Sequence, residues 1–188
     1  MIGAGGNNGG AHAANPEHDD IKPVKYVEEM RMYEPEIVRK FGLVTYFDYD
    51  EALAASKKLK KPVMLDFTGI NCVNCRKMEA QVWSNAEVMK RLKEDFVIAS
   101  LYCDYDKREL PKEEQYYSKI LGSQVITVGD KNEDIQASKF GDNSQPFYFF
   151  VDEEGERLID GGYGYDPNVQ KFIDHLEKVK ENYKKANM

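Results

Sequence analysis

Apolar residues form three short runs along the chain, at 63–68, 96–102 and 146–151. Short apolar runs that are bounded by turn-forming residues are typical of buried β-strands. A fourth strand is predicted at 157–160, where the turn at 152–155 would join it to the third strand as a hairpin. The pattern therefore predicts a sheet of four strands.

Helical spacing and capping residues appear between these runs. Asp48 or Asp50 can cap a helix that extends to Leu59, and Ser84 with Glu87 has the spacing of a capping box for a helix over 85–94. Further helices are predicted over 75–83 and over 135–140, the second ending at Gly141. Another is predicted after Pro111 and would contain Tyr116, Tyr117, Ile120 and Leu121. A last helix is predicted after Asp166 and Pro167, with one apolar face of Val169, Phe172, Ile173, Leu176 and Val179. Trp83, Phe96 and Phe172 are predicted to be core residues. Alternating helices and strands predict an α/β fold with helices on both faces of the sheet.

This regular pattern occupies 47–183 and follows two segments of different character. Residues 1–20 are rich in Gly, Asn, Ala and His and predict a flexible arm or linker. His12 and His18 lie there; they could bind a metal, although solvated tail histidines are the simpler interpretation. Residues 21–46 contain two prolines and predict an extension of short pieces that wrap the domain, and 184–188 form a tail.

Charge and hydropathy exclude some functions. The formal net charge of −7 argues against nucleic acid as a partner. No apolar run approaches the length that crosses a bilayer, and the first ten residues contain five glycines instead of the apolar segment of a signal peptide. We therefore expect a globular protein that would meet a membrane only through a part of a longer chain.

The three cysteines carry the candidate chemistry. Cys72 and Cys75 form a C-x-x-C between the strand at 63–68 and the following helix, and Cys103 is left over as a predicted structural residue. A thiol at a helix N-terminus is surrounded by unpaired N–H groups that favour the nucleophilic thiolate. The alternative is a metal clip for zinc or copper, but one C-x-x-C supplies two ligands and zinc usually takes four.

The segments Pro-Val-Met-Leu-Asp-Phe at 62–67 and Cys-Val-Asn-Cys-Arg-Lys-Met-Glu at 72–79 resemble the thioredoxin-like family. The resemblance is closest to the C-terminal thioredoxin-like domain of the DsbD thiol:disulfide interchange proteins and covers about 47–180. It implies a thioredoxin fold, a central mixed β-sheet flanked by helices, with an N-terminal extension and an insertion at about 105–135 before a cis-proline strand. One departure is Asn71, where many family members have tryptophan, which changes the rim of the site.

The resemblance and the local pattern assign roles to seven residues. Cys72 would be the exposed nucleophile and Cys75 the buried resolving thiol. Asp66, an acid among apolar neighbours with a raised pKa, would move protons to and from Cys75, unless it is only a hydrogen-bonded strand-end carboxylate. Glu79 shares the helix face of Cys75; it would oppose thiolate formation, or else be a solvated glutamate paired with Arg76 or Lys77. Asn71, Gln145 and Pro146 would contact substrate, with Pro146 in cis; the simpler alternative is a trans proline that begins an edge strand.

The predicted function is that of a thiol-disulfide oxidoreductase without a bound cofactor. The resemblance implies a monomeric reductase that relays electrons from a thiol-transporting transmembrane domain to periplasmic thioredoxin-like or disulfide-containing proteins. The expected location is the periplasm, as a domain of an inner-membrane protein, or the cytoplasm if the chain is complete. A soft-metal module, or a disulfide oxidase or isomerase on the same fold, remains the alternative.

Overall fold

The computed structural model of the protein describes residues 21–188, and its centre is a four-stranded mixed sheet. In spatial order the strands are β1 (Thr45–Tyr46), β3 (Val97–Tyr102), β2 (Val63–Thr68) and β6 (Phe147–Val151). β1 and β2 run parallel to β3, whereas β6 runs antiparallel to β2. The three strands predicted from apolar runs are confirmed to within one residue at each end. His12 and His18 lie outside the described residues.

The helices of the described part of the chain lie before, between and after these strands. They are α1 (Val27–Met30), α2 (Glu36–Phe41), α3 (Tyr49–Leu59), α4 (Val73–Met78), α5 (Ala86–Asp95), α6 (Val128–Phe140) and α7 (Val169–Ala186). Single 3₁₀ turns occupy Arg31–Tyr33 and Lys112–Glu114, and a π-helical segment, Glu79–Trp83, continues α4. Within residues 21–188, no helix combines the length and the apolar character needed to cross a bilayer.

Helices cover both faces of the sheet, because β2 and β3 are buried along their whole length. One face packs against α4, α5 and α7, in a cluster that includes Met64, Ile98, Met78, Leu92 and Leu176. The other face packs against α3 and α6, in a cluster that includes Leu65, Phe67, Ala52, Ile135 and Phe140. Trp83, Phe96 and Phe172 are all buried, as predicted. The two-sided arrangement of helices is therefore confirmed.

Helix caps agree with the sequence at α3 but differ at α5. Asp48 caps α3 by accepting a hydrogen bond from the backbone N–H of Glu51. At α5 the prediction of Ser84 as the cap is wrong: Asn85 is the cap, and its side-chain oxygen accepts from the N–H groups of Glu87 and Val88. Ser84 Oγ instead donates to the carbonyl of Ala80, because the preceding π-helical segment still holds it in helical geometry.

The helix predicted after Pro111 is wrong. The segment forms a β-hairpin of β4 (Tyr116–Ser118) and β5 (Ser123–Val125), with Tyr116 opposite Val125. Two hydroxyl groups of the hairpin stabilise it, because Tyr116 and Ser118 both donate to the carboxylate of Asp134 on α6. Tyrosine also favours strands, so the spacing of Ile120 and Leu121 was a misleading helical signal.

Helix α6 begins seven residues before the predicted start at 135. Thr127 accepts from the N–H of Asp130, and the Asp130 carboxylate accepts from the N–H of Thr127, which forms a capping box. Its end at Gly141 is confirmed, with that glycine in the left-handed conformation that often terminates helices. After Val128 the first two turns are mostly polar, so the spacing of apolar residues does not indicate where this helix begins.

The strand predicted at 157–160 is wrong. The turn is present, since Gly155 N–H donates to the carbonyl of Asp152. Beyond it the chain pairs with β6 only through two isolated bridges, of Arg157 with Val151 and of Tyr163 with Tyr148, and 157–160 forms no continuous strand. Asn168, rather than Asp166, caps α7, and the predicted apolar face of that helix is buried at Phe172, Leu176 and Val179.

The N-terminal extension packs against the insertion to form a third cluster beside the sheet. It joins Met30 of α1 to Tyr105, Leu110 and Val125 of the insertion, with Ile70 at its margin. The hydroxyl of Tyr105 donates to Glu29, which ties the two segments together. Ile70 directly precedes Asn71 and Cys72, so these additions support one side of the loop that carries the cysteines.

Candidate active site

Cys72 and Cys75 form a disulfide at the N-terminus of α4, with their Cα atoms 5.2 Å apart. Cys72 is the N-cap residue, and its sulfur lies 3.2 Å from the backbone nitrogen of Cys75. Cys75 is only 1% exposed, whereas Cys72 is partly exposed. The exposures match those predicted for an attacking and a resolving sulfur. The backbone N–H and the positive end of the helix both favour negative charge on the Cys72 sulfur after reduction.

Asp104 holds the loop that precedes the nucleophile. Its carboxylate accepts from the backbone N–H of Ile70 at 2.7 Å and from that of Asn71 at 3.1 Å. Gly69 allows this approach, since a Cβ there would lie 3.1 Å from the carboxylate oxygen. This contact could not be predicted from local sequence, because Asp104 is 34 residues from Ile70 and the two meet only when β2 and β3 pair side by side.

Asp104→Ala is expected to lower the free energy of unfolding by about 1–2 kcal/mol, because two charge-assisted hydrogen bonds to the loop are lost. Urea denaturation of the oxidised protein measures this. Asp106→Ala is the matched control, since Asp106 is an exposed acid two residues away. Equal midpoints for the two variants would contradict the role of Asp104 as a clamp.

Asp66 is a buried acid on β2, on the face covered by α4. It is 2% exposed, and the hydroxyl of Ser100 on the neighbouring strand is its hydrogen-bond partner at 3.4 Å. Burial raises the pKa of Asp66 to about 7, against smaller lowering effects from the Arg76 charge and the Ser100 hydroxyl. An acid with this pKa exchanges protons near neutral pH, which is what general acid–base work requires.

Glu79 is also buried, so the alternative of a solvated helix glutamate is wrong. It is 4% exposed, and Arg76 Nη2 donates to its Oε1 at 2.9 Å and to Thr68 Oγ1 at 3.1 Å. The pKa of Glu79 is raised to about 8, mainly by burial and also by the charge of Asp66, against a lowering effect of Arg76. The pairing with Arg76 foreseen in that alternative is present, but in a buried setting.

The π-helical segment that begins at Glu79 was not predicted. A π-turn widens the helix by one residue, and such turns are frequent at functional sites. Here it brings Glu79, Val82 and Trp83 onto the buried side. The site therefore combines Asp66 of β2 with Arg76 of α4 and Glu79 of its continuation. The sequence pointed to both acids and to the pairing of Glu79 with Arg76, but not to the contact of Arg76 with Thr68.

The Gln145–Pro146 peptide bond is cis, so the simpler alternative of a trans proline is wrong. Within residues 21–188, the backbone N–H and C=O of Gln145 form no hydrogen bond, while its side chain donates to Gln136. Gln145 lines a cleft of about 390 Å³ together with Asn71 and Cys72. Two of the three predicted rim positions, Asn71 and Gln145, thus line the cleft beside the disulfide, and Pro146 follows Gln145 directly in the chain. Contact of the three residues with a substrate stays a prediction.

Cys103 lies in the same cleft, at the end of β3. Burial raises the pKa of its thiol strongly, and the carboxylates of Glu133, Asp104 and Asp66 raise it further. A thiol that stays protonated is a weak nucleophile, which agrees with a structural role. Among residues 21–188, no three His, Cys, Asp or Glu side chains form a cluster that could hold a metal ion.

The architecture and the site define a class: a thioredoxin-like α/β protein with a C-x-x-C disulfide at a helix N-terminus and a cis-proline directly before β6. Residues 49–180 match the family described as the Thioredoxin-like domain. The chain therefore belongs to the thioredoxin-like family, and its fold is that of thioredoxin-like disulfide oxidoreductases.

Solved structures resemble the chain at low identity. The DsbH oxidoreductase is 23% identical and has a TM-score of 0.52, over 73% of this chain and 85% of that one. A thioredoxin from Thermus thermophilus is 24% identical with a TM-score of 0.50, over 73% and 87%. The oxidised DsbD C-terminal domain of Neisseria meningitidis is 21% identical with a TM-score of 0.43, over 68% and 89%. No curated protein sequence matches the chain.

Proposed function

We propose that the protein is a protein-disulfide reductase, which passes two electrons from a Cys72/Cys75 dithiol to disulfides in other proteins. The supporting observation is the pair of buried acids, Asp66 and Glu79, beneath the helix that carries the cysteines. A couple becomes more oxidising when its thiolate is stabilised. Burial raises the pKa of both acids, which shows surroundings that are unfavourable to negative charge, and Arg76 is already engaged with Glu79. We therefore expect this site to stabilise a thiolate poorly and to favour the reducing direction.

The reduced protein would act in two exchange steps. The Cys72 thiolate attacks one sulfur of the substrate disulfide, which forms a mixed disulfide and releases the other sulfur as a thiolate. Cys75 then attacks the Cys72 sulfur, which restores the intramolecular disulfide and releases the second substrate thiol. Asp66, unprotonated, takes the proton from Cys75 and passes it to the leaving thiolate.

We also propose the setting that the sequence resemblance implies. Electrons would come from a thiol-transporting transmembrane partner and go to periplasmic disulfide-containing proteins, with the protein acting as a monomer. The open backbone of Gln145 suits such acceptors, since it can pair with an extended substrate chain as a short β-addition. Cysteine-trapping of mixed disulfides in intact cells, followed by identification of the trapped proteins, tests this assignment.

A redox titration against glutathione tests the direction of electron flow. Alkylation of free thiols at each glutathione ratio gives the reduced fraction, and we expect a potential below about −240 mV. A value near about −120 mV, typical of oxidants, would overturn the reductase proposal while keeping the redox chemistry. Failure of the pair to form a disulfide would overturn both. Cys103→Ser is the control and should leave the midpoint unchanged.

A further inference from the structure

The cleft beside the disulfide has walls of one charge sign. Two carboxylates line it, from Asp104 at the end of β3 and from Glu133 on α6, and neutral side chains complete the lining. In the described part of the chain, no lysine or arginine lines this cleft. A substrate that brings its own disulfide to Cys72 must therefore enter an electronegative space.

Glu133 is the carboxylate that is available to a partner. It is exposed, and within residues 21–188 its side chain forms no hydrogen bond or ion pair. The neighbouring acids of α6 are engaged: Asp130 caps the helix and Asp134 accepts from three hydroxyl groups. The two carboxylate oxygens of Asp104 already accept hydrogen bonds from the N–H groups of Ile70 and Asn71. Asp104 therefore contributes negative charge to the cleft, but its oxygens are engaged.

The position of Glu133 is fixed by its neighbour on the helix. Asn132 is buried, and its side-chain amide donates to the carbonyl of Tyr102 at 3.0 Å. This bond attaches α6 to the end of β3, one residue before Cys103. The charge of Glu133 also acts on the sulfur of Cys103. Burial is the largest cause of the raised pKa of that thiol, and the charge of Glu133 is the next largest, ahead of Asp104.

We infer that this cleft selects protein disulfides whose cysteine is flanked by lysine or arginine, and that Glu133 is the residue that determines this preference. The inference rests on the proposed function, since it names the substrates of the same disulfide. Charges at the rim of a binding surface act mainly on the rate of association and on the choice of partner. A flanking cation gains attraction from two carboxylates, whereas a flanking acid is repelled by both.

The test uses the reduced protein and three peptide disulfides that differ only in the residues beside the cysteine, which are Lys, Gln or Glu. At an ionic strength of about 0.01 M, the Lys peptide should react about tenfold faster than the Glu peptide, with the Gln peptide between them. Near about 1 M salt the three rates should converge, because screening then acts over a few ångströms.

Variants assign the preference to Glu133. Glu133→Gln should reduce the Lys-to-Glu ratio to about threefold, and Glu133→Lys should bring it close to one. Glu94→Lys is the matched control, since Glu94 is an exposed acid near the end of α5, at the opposite end of the sheet from the disulfide, and should keep the full ratio.

The outcomes separate this inference from the proposed function. Exchange with the Gln peptide tests the redox chemistry, and its absence would overturn the proposed function. Exchange at equal rates with all three peptides at low salt would overturn only the substrate preference. A ratio that falls equally in Glu133→Lys and Glu94→Lys would show an effect of net charge alone and would also overturn the role of Glu133.

Discussion

Cys72→Ser is expected to reduce thiol-disulfide exchange to the uncatalysed rate, because the variant has no exposed sulfur at the helix N-terminus to attack a substrate. Cys75→Ser should still attack, but it cannot resolve the mixed disulfide and should accumulate as a covalent complex with the substrate. Reduction of a model peptide disulfide measures the first effect. Non-reducing electrophoresis and mass spectrometry of the complex measure the second.

Cys103→Ser is the matched control for both variants, because Cys103 lies in the same cleft but has a strongly raised thiol pKa. It should retain the wild-type rate and form no trapped complex. If Cys72→Ser kept substantial activity, or if the covalent complex of Cys75→Ser formed through Cys103, the assignment of Cys72 as the nucleophile would be wrong.

Asp66→Asn is expected to slow resolution of the mixed disulfide by about 10²-fold. The amide has nearly the same shape as the carboxylate, but it cannot accept the proton of Cys75. In the wild type this step should accelerate as pH rises through about 7, where Asp66 loses its proton. The variant should lack that inflection. Rapid-quench alkylation of the mixed disulfide at several pH values measures both effects.

The same substitution should stabilise the oxidised protein at alkaline pH. The pKa of Asp66 rises from 3.8 to about 7 on folding, so the native state holds its proton more tightly than the unfolded chain does. The contribution of Asp66 to stability is therefore greatest below about pH 4 and falls as pH rises towards 7, above which the buried carboxylate is charged. Asp66→Asn removes this loss and should raise the free energy of unfolding at pH 8 by about 2–4 kcal/mol, with little change at pH 3.

Denaturant unfolding at pH 3 and pH 8 measures the difference between the variant and the wild type. Asp160→Asn, at an exposed position, is the control and should change neither stability nor exchange. An Asp66→Asn variant that is less stable than the wild type at pH 8 would contradict the burial of an acid that is costly to ionise. The expected result for Asp66→Asn, higher stability with slower exchange, is typical of a residue whose role is in the chemistry of the site.

The main strands and helices of the domain could be predicted from the sequence because they depend on residues that are close together in the chain. The runs at 63–68 and 96–102 are mostly apolar, and strands buried on both faces are typically of that kind. Asp48 and Gly141 marked a helix start and a helix end through their own hydrogen bonding and backbone conformation. The insertion misled the same reasoning, since the hairpin at Tyr116–Val125 depends on Asp134, a residue outside it.

The sequence by itself determined three of the four strands of the central sheet, the C-x-x-C at a helix start and the presence of an acid on a buried strand, because each depends on the types and spacing of neighbouring residues. Only the tertiary structure decided that Glu79 is buried with Arg76, that Asp104 clamps the loop before Cys72, and that Glu133 faces the same cleft. These contacts join residues from different elements, and their energies depend on burial and distance, which exist only after the sheet and its helices have packed together.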